Sequence, residues 1–319
     1  EDKQLQFRQY WVSVAHPELG ESLTYCGPAV RLSETPIVYR NRAPLIGEHN
    51  EEILEKKSGM SKQKAAATKR GMNVAGTSFG GDKAISREKK KVFEGIKVAE
   101  FAWVAVGPVT SRYLADHGAT VVKIESHNRL DTLRVTSPYA GGTPHVDGSM
   151  FFGRYNANKY SVSIDLNHPN GRKLAWKFIM WADVVTESFS PGNMEKWGLD
   201  YESVKKVRPD IIYLSTCMQG HGGPHANYIG YGPNACALCG FSEISGWPDR
   251  LPAAPYGAYT DFICPRFGAS ALIAALDYRR RTGKGQLIEQ SQFESALHFF
   301  SPPIMDYMVN GRVFTRQGN

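Results

Sequence analysis

The stretch GIKVAEFAWVAVGPVTSRYLADHGATVVKIE, residues 95–125, decides the fold. Its first eight residues read as a strand, and Gly107-Pro108 then opens a helix predicted over 109–117. Pro108 suits a first helical turn, where its missing N–H leaves no bond unmade. Gly118 stops that helix, and Thr120-Val121-Val122-Lys123-Ile124-Glu125 is a second strand. The alternation continues along the chain. Strands are predicted over 161–165, 183–186, 211–215 and 286–293, with helices over 171–182, 201–207 and 266–278 between them. Strands separated by helices of this length build a parallel sheet covered on both faces. The fold class is α/β, doubly wound and mostly parallel.

Working outward, the 319 residues carry a formal charge of +7. Residues 55–91 hold +8 of it and the rest of the chain sums to −1. That basic stretch is rich in Gly, Ser, Ala and Lys, which is linker chemistry. No aromatic or arginine interleaving accompanies it, so a nucleic-acid partner is not expected. No apolar run reaches the length of roughly 20 residues that spans a bilayer, so no membrane association is expected. Cys26, Cys217, Cys236, Cys239 and Cys264 lack a disulfide-scaffold spacing, which points to a reducing, cytoplasmic setting. The expected organisation is a block at 1–54, a basic flexible linker at 55–92 and a body at 93–319.

Ligands of a doubly wound sheet bind at the carboxyl ends of its strands. No Gly-x-Gly-x-x-Gly follows the first strand, so an ordinary dinucleotide site is not supported. Arg281-Thr282-Gly283-Lys284-Gly285-Gln286 follows a helix and lacks the phosphate-loop spacer, so it reads as a helix stop. Asp261 stands just before the helix predicted at 266. It reads either as a capping acid or as a carboxylate nucleophile kept ionised by the helix dipole, and residue types alone leave both open. Cys236-Ala237-Leu238-Cys239 has no second pair, so it reads as buried packing, and no metal is expected. Gly220-His221-Gly222-Gly223-Pro224-His225 is a strand-end loop whose amides could face a ligand. Phe151, Phe152, Tyr155 and Tyr160 read as core or as a cage for a cation.

These residues carry a resemblance. Ala105-Val106-Gly107-Pro108 with Leu114 to Ala119, Val122 to Glu125, NANKYSVSIDLNHPNG at 156–171, Ala182-Asp183-Val184, Glu187-Ser188-Phe189-Ser190-Pro191-Gly192 and RTGKGQ at 281–286 occur in the order of one family. From residue 95 onward the chain resembles the family III CoA-transferases (CaiB/BaiF), which include formyl-CoA and carnitine CoA-transferases and α-methylacyl-CoA racemases. The resemblance implies the Rossmann-like large domain of that family, with its smaller domain incomplete or absent. Residues 16–20, 27–36 and 43–50 are similar to the family's carboxyl-terminal end. Residues 1–54 therefore resemble the tail of one unit and 93–319 the start of a second, as in a tandem two-unit protein. Family units interlock in pairs, which implies such a pairing here, by fusion or as a homodimer.

The resemblance implies an enzyme that moves coenzyme A from an acyl-CoA to a small carboxylate. Asp261 occupies the place of the family's nucleophile, with Gly222 and Gly223 as candidate oxyanion donors. For coenzyme A it implies Ala105, Val106, Arg134, Ile164, Asn167, Ser188, Phe189, Lys196 and Tyr231. The tandem layout is similar to that of CoA-transferase-type dimethylsulfoniopropionate lyases, which implies that zwitterion as acceptor and release of dimethyl sulfide. Trp103, Tyr155 and Tyr231 would then cage the sulfonium. Departures are Ser126 and Ser188, where relatives place Arg and Asn. Gly230-Tyr231-Gly232 stands where racemases carry Gly-His-Asp, which argues against racemisation. The rival expectation is a non-catalytic unit kept for interlocked assembly.

Overall fold

The computed structural model describes residues 2–56 and 91–318, without the side chains of residues 55 and 56. The expected linker at 55–92 therefore falls almost wholly outside the described residues. Eight strands are described: β1 (Trp11–His16), β2 (Glu21–Cys26), β3 (Lys97–Glu100), β4 (Thr120–Glu125), β5 (Tyr160–Ser163), β6 (Val184–Glu187), β7 (Ile212–Cys217) and β8 (Gln286–Ser291). β1 and β2 form an antiparallel hairpin. The other six form one parallel sheet in the order β5-β4-β3-β6-β7-β8. This is the doubly wound order, in which the chain reverses direction between β3 and β6.

Period-two alternation splits the sheet between two cores. Ala99, Val122, Val162, Val185 and Tyr213 face one side, packed with Ala175, Phe178 and Ile179 of the helix Pro169–Trp181. Val98, Val121, Val184, Ile212 and Leu214 face the other, against Leu114 and Ala115 of Val106–Asp116 and Leu272 and Ala275 of Tyr259–Thr282. Helices on both faces are what the sequence led one to expect.

Most boundaries move by a few residues, and three of the shifts concern the site. The helix predicted at 266–278 runs from Tyr259 to Thr282, with Pro265 inside it. Pro265 lacks the N–H that would close on the carbonyl of Asp261, yet the helix starts upstream of it. The strand predicted over 286–293 ends at Ser291, whose hydroxyl accepts from the Glu294 amide and caps a new helix, Gln292–Leu297. The helix predicted at 109 begins at Val106, drawing Ala105 into the cap position.

The amino-terminal block folds onto the body. Asn158 Oδ1 accepts from the Arg40 and Asn41 amides at 2.7 and 3.0 Å. The His49 amide donates to the Ser161 carbonyl at 3.0 Å, and the Ser163 amide donates to Asn50 Oδ1 at 2.8 Å. The bonds to Ser161 and Ser163 occupy polar groups of β5, an edge strand that would otherwise invite pairing with another chain. Ile53 and Leu54 of the helix Asn50–Lys56 are fully buried in the first core.

Candidate active site

Asp261 is the third residue of the helix Tyr259–Thr282 and is only partly exposed. Its Oδ1 accepts from Gln292 Nε2 at 2.6 Å. The same Gln292 nitrogen donates to Thr260 Oγ1 at 2.7 Å, and Thr260 Oγ1 donates to the Gly232 carbonyl at 3.1 Å. A Cβ on Gly232 would lie 2.9 Å from the Asp261 carboxylate and 2.5 Å from Ala258 Cβ, so only glycine fits there. Burial pushes the Asp261 carboxyl up to about 6, against the lowering effect of the Gln292 bond. Of the two influences on this carboxyl, burial outweighs the Gln292 bond. A carboxyl of that pKa is mostly ionised at pH 7 and more basic than an exposed aspartate.

The surroundings come from the strand ends. Val106 packs in one cluster with Ile263 and Cys264, the near neighbours of Asp261 on its helix. Ala105 and Tyr155 share a second cluster against Phe262. Burial raises the Tyr155 phenol, and the Asp261 charge raises it further, so the two face each other electrostatically. The loop after β3 and the Asp261 helix therefore form one wall.

The reversal point between β3 and β6 holds a second group. The Trp103 amide donates to Ser188 Oγ at 2.8 Å, and Ser188 Oγ donates to the Trp103 carbonyl at 3.0 Å. Ser188 thus ties the two loops together. Trp103 meets Phe189 edge-on at 5.4 Å between ring centres, and Phe189 meets Trp197 at 5.2 Å. The Arg129 guanidinium stands 5.9 Å over the Trp103 ring. A flat, partly apolar ligand finds aromatic edges and a cation here. Lys196 is exposed on the same short helix as Trp197, Asn193–Trp197.

Other expected residues are placed differently. Arg134 is fully buried, bonded through Nε and Nη2 to both oxygens of Glu125 and through Nη1 to Asp147. A guanidinium so committed is a structural ion pair, and the expectation that Arg134 contacts coenzyme A is withdrawn. Gly222 and Gly223 lie in an exposed loop where an added Cβ would meet nothing within 4 Å, so the glycine that abuts Asp261 is Gly232. Ile164 is core, and Asn167 is exposed beyond β5, its amide donating to Asp165. Tyr231 precedes Gly232 with its ring half exposed. Cys236 and Cys239 are buried beside Cys264. Gln292, Thr260 and Gly232 were absent from the expected site. The polar run Gln290-Ser291-Gln292 at a strand's carboxyl end was their one visible signal.

Comparison with known proteins identifies the family of this fold. Residues 93–319 match the family model "CoA-transferase family III". The succinate–glutarate CoA-transferase of Agrobacterium fabrum is 35% identical over 238 residues, 72% of this chain and 58% of that protein. The acetyl-CoA:oxalate CoA-transferase of Acetobacter aceti is 33% identical over 231 residues, again 72% and 58%. A crystal structure of a CAIB/BAIF family protein from Brucella suis superposes with a TM-score of 0.67 at 34% identity, covering 72% of this chain and 61% of that one. The chain spans somewhat under two thirds of the length of these relatives. With most of its length inside the family model, and an aspartate at the carboxyl end of a doubly wound sheet, this chain belongs to CoA-transferase family III.

Proposed function

We propose that this chain carries the nucleophile of a CoA transfer between an acyl-CoA and a small carboxylate, and that the nucleophile is Asp261. The carrying observation is its carboxyl group, pushed up to about 6 by burial, at a helix start, held by Gln292 and closed on by Gly232. An Asp261 oxygen attacks the donor thioester carbonyl, the C–S bond breaks, and a mixed anhydride forms as CoA thiolate leaves. The thiolate then attacks the aspartyl carbonyl, releasing the donor's carboxylate and leaving an aspartyl-CoA thioester. The acceptor carboxylate attacks that carbonyl and expels the thiolate, giving a second anhydride. Attack of thiolate on the acceptor's acyl carbon frees Asp261 and completes the new thioester. Dividing the transfer into these steps replaces one hard displacement by several easier ones.

Gln292 keeps one Asp261 oxygen fixed, so the other is the attacking atom. The aromatic group at Trp103 and Phe189, with Ala105, Val106, Ser188 and Lys196, is the surface we assign to CoA. Amides of the loop holding Gly222 and Gly223 would supply oxyanion donors if that loop closes over bound substrate. For the donor, the relatives' names favour succinyl-CoA or acetyl-CoA. For the acceptor, the tandem layout supports dimethylsulfoniopropionate, with lyase release of dimethyl sulfide after transfer and Trp103, Tyr155 and Tyr231 near its sulfonium. The amino-terminal block supports pairing with a second family unit, in a cytoplasmic setting consistent with five free cysteines. Among the described residues no helix is long and apolar enough to cross a membrane.

The test is transfer itself. The protein is incubated with succinyl-CoA or acetyl-CoA and, separately, with glutarate, oxalate or dimethylsulfoniopropionate. New acyl-CoA is read by chromatography and dimethyl sulfide in the headspace. Asp261-dependent formation of a new thioester supports the reading, and its absence with every pair refutes it.

A further inference from the structure

Val104 has φ of 63°, the left-handed region that β-branched residues avoid most strongly. Such a residue persists only where its surroundings over-determine it, and these sites gather around function. Val104 lies in the loop leaving β3, between Trp103 and the Ala105–Val106 pair that packs toward the Asp261 helix. Its amide donates to Asp131 Oδ1 at 3.1 Å, an oxygen that also accepts from the Leu133 amide at 3.0 Å. Asp131 Oδ2 stands 3.1 Å from Lys123 Nζ, and Lys123 donates to the Ala102 carbonyl at 2.7 Å. Behind them Glu100 pairs with Lys123 at 3.3 Å and with Lys159 at 2.8 Å. All four charged side chains are fully buried. The two ends of one ion pair therefore grip the backbone on either side of Trp103.

A buried ion pair is weak as a source of stability, because well-packed apolar side chains often do as well. Fixing a strained backbone is work that apolar side chains cannot do. We propose that Asp131 and Lys123 are positioning residues: their ion pair clamps the 102–104 backbone in its left-handed turn and so sets where Trp103, Ala105 and Val106 stand for acyl-CoA. The consequence for acyl-CoA rests on the transfer reading above, whereas the clamp concerns this chain's own backbone.

Four variants test it: Asp131→Asn, Val104→Gly, the two combined, and Val104→Pro. Asparagine keeps the shape and the accepting oxygen but drops the charge facing Lys123. Amide hydrogen exchange across residues 102–106 is expected to quicken about tenfold in Asp131→Asn, as the strained turn opens. The KM for acyl-CoA is expected to rise about tenfold with kcat within about threefold. Adding Val104→Gly should restore that KM, because glycine takes positive φ without a clamp, while the lost thermal stability stays lost. Val104→Pro cannot adopt positive φ and leaves the ion pair intact, so it should reproduce the KM rise even if Asp131→Asn does not fold. Unchanged exchange in Asp131→Asn, a KM that glycine does not restore, or a normal KM in Val104→Pro would each overturn the clamp. Absence of any CoA transfer in the unmodified protein would overturn the transfer reading instead, and the exchange result would still decide the clamp.

Discussion

Replacing Asp261 by asparagine should abolish transfer and stabilise the protein, and the stabilisation should depend on pH. The carboxyl is pushed up to about 6 from the ordinary 3.8 because burial penalises its charge. A group whose folded pKa is raised contributes stability that is fully present below pH 3.8 and lost as pH rises through about 6. Two pH units correspond to roughly 3 kcal/mol, and about half of that survives screening at a partly exposed carboxylate. Asparagine is neutral at every pH and retains an oxygen for Gln292, so it escapes this cost. For a domain of this size about 1.5 kcal/mol moves the melting midpoint by roughly 3–6 °C. The assay is thermal unfolding of both proteins from pH 4 to pH 8, with transfer activity measured in parallel. The midpoints should nearly coincide near pH 4, draw apart between pH 4 and pH 6 and keep a constant gap above that, while activity falls by roughly 10³-fold or more. A variant less stable at pH 8, or a gap independent of pH, would refute the electrostatic reasoning.

Other consequences are equally direct. Gln292→Leu removes the one bond that lowers the Asp261 pKa, so the acid limb of the pH–rate profile should move up by about 1 unit, because a bond to a charged group contributes at least 1.5 kcal/mol or so. Gly232→Ala forces a Cβ against Ala258 and the Asp261 carboxylate, and calorimetry should show a loss of about 1–3 kcal/mol with activity largely gone. Ile53→Ala or Leu54→Ala, in the core shared by the amino-terminal helix and the body, should cost about 2–5 kcal/mol by denaturant titration. Each of these two should also speed amide exchange along β5.

Much of the fold was legible because its determinants are local. Val98 and Ala99, or Val184 and Val185, are adjacent apolar pairs, and only a strand covered on both faces hides both. Gly118 and the predicted strand starts, such as Thr120, mark turns that depend on nearby residues alone. What local signals missed was decided at a distance. Pro265 disguised the true start of the Asp261 helix, and Asp261 accordingly looked like a residue ahead of a helix. Gln292 looked like the end of a strand because its role exists only where β8 brings it beside residue 261. Arg134 looked like a free cation, since neither Glu125 nor Asp147 announces in sequence that it will close around it. The Asp261 pKa belongs to the same class: burial is a property of the assembled wall.

Covalent chemistry at Asp261 is the central claim, and its most direct measurement is the mass of the peptide that carries it. The protein is incubated with succinyl-CoA in the absence of acceptor, quenched in acid, digested and analysed by tandem mass spectrometry. The account predicts a coenzyme A adduct whose fragment ions place it on Asp261, absent from Asp261→Asn and discharged when a carboxylate acceptor is added. An unmodified Asp261 peptide from protein that is still transferring CoA would contradict it.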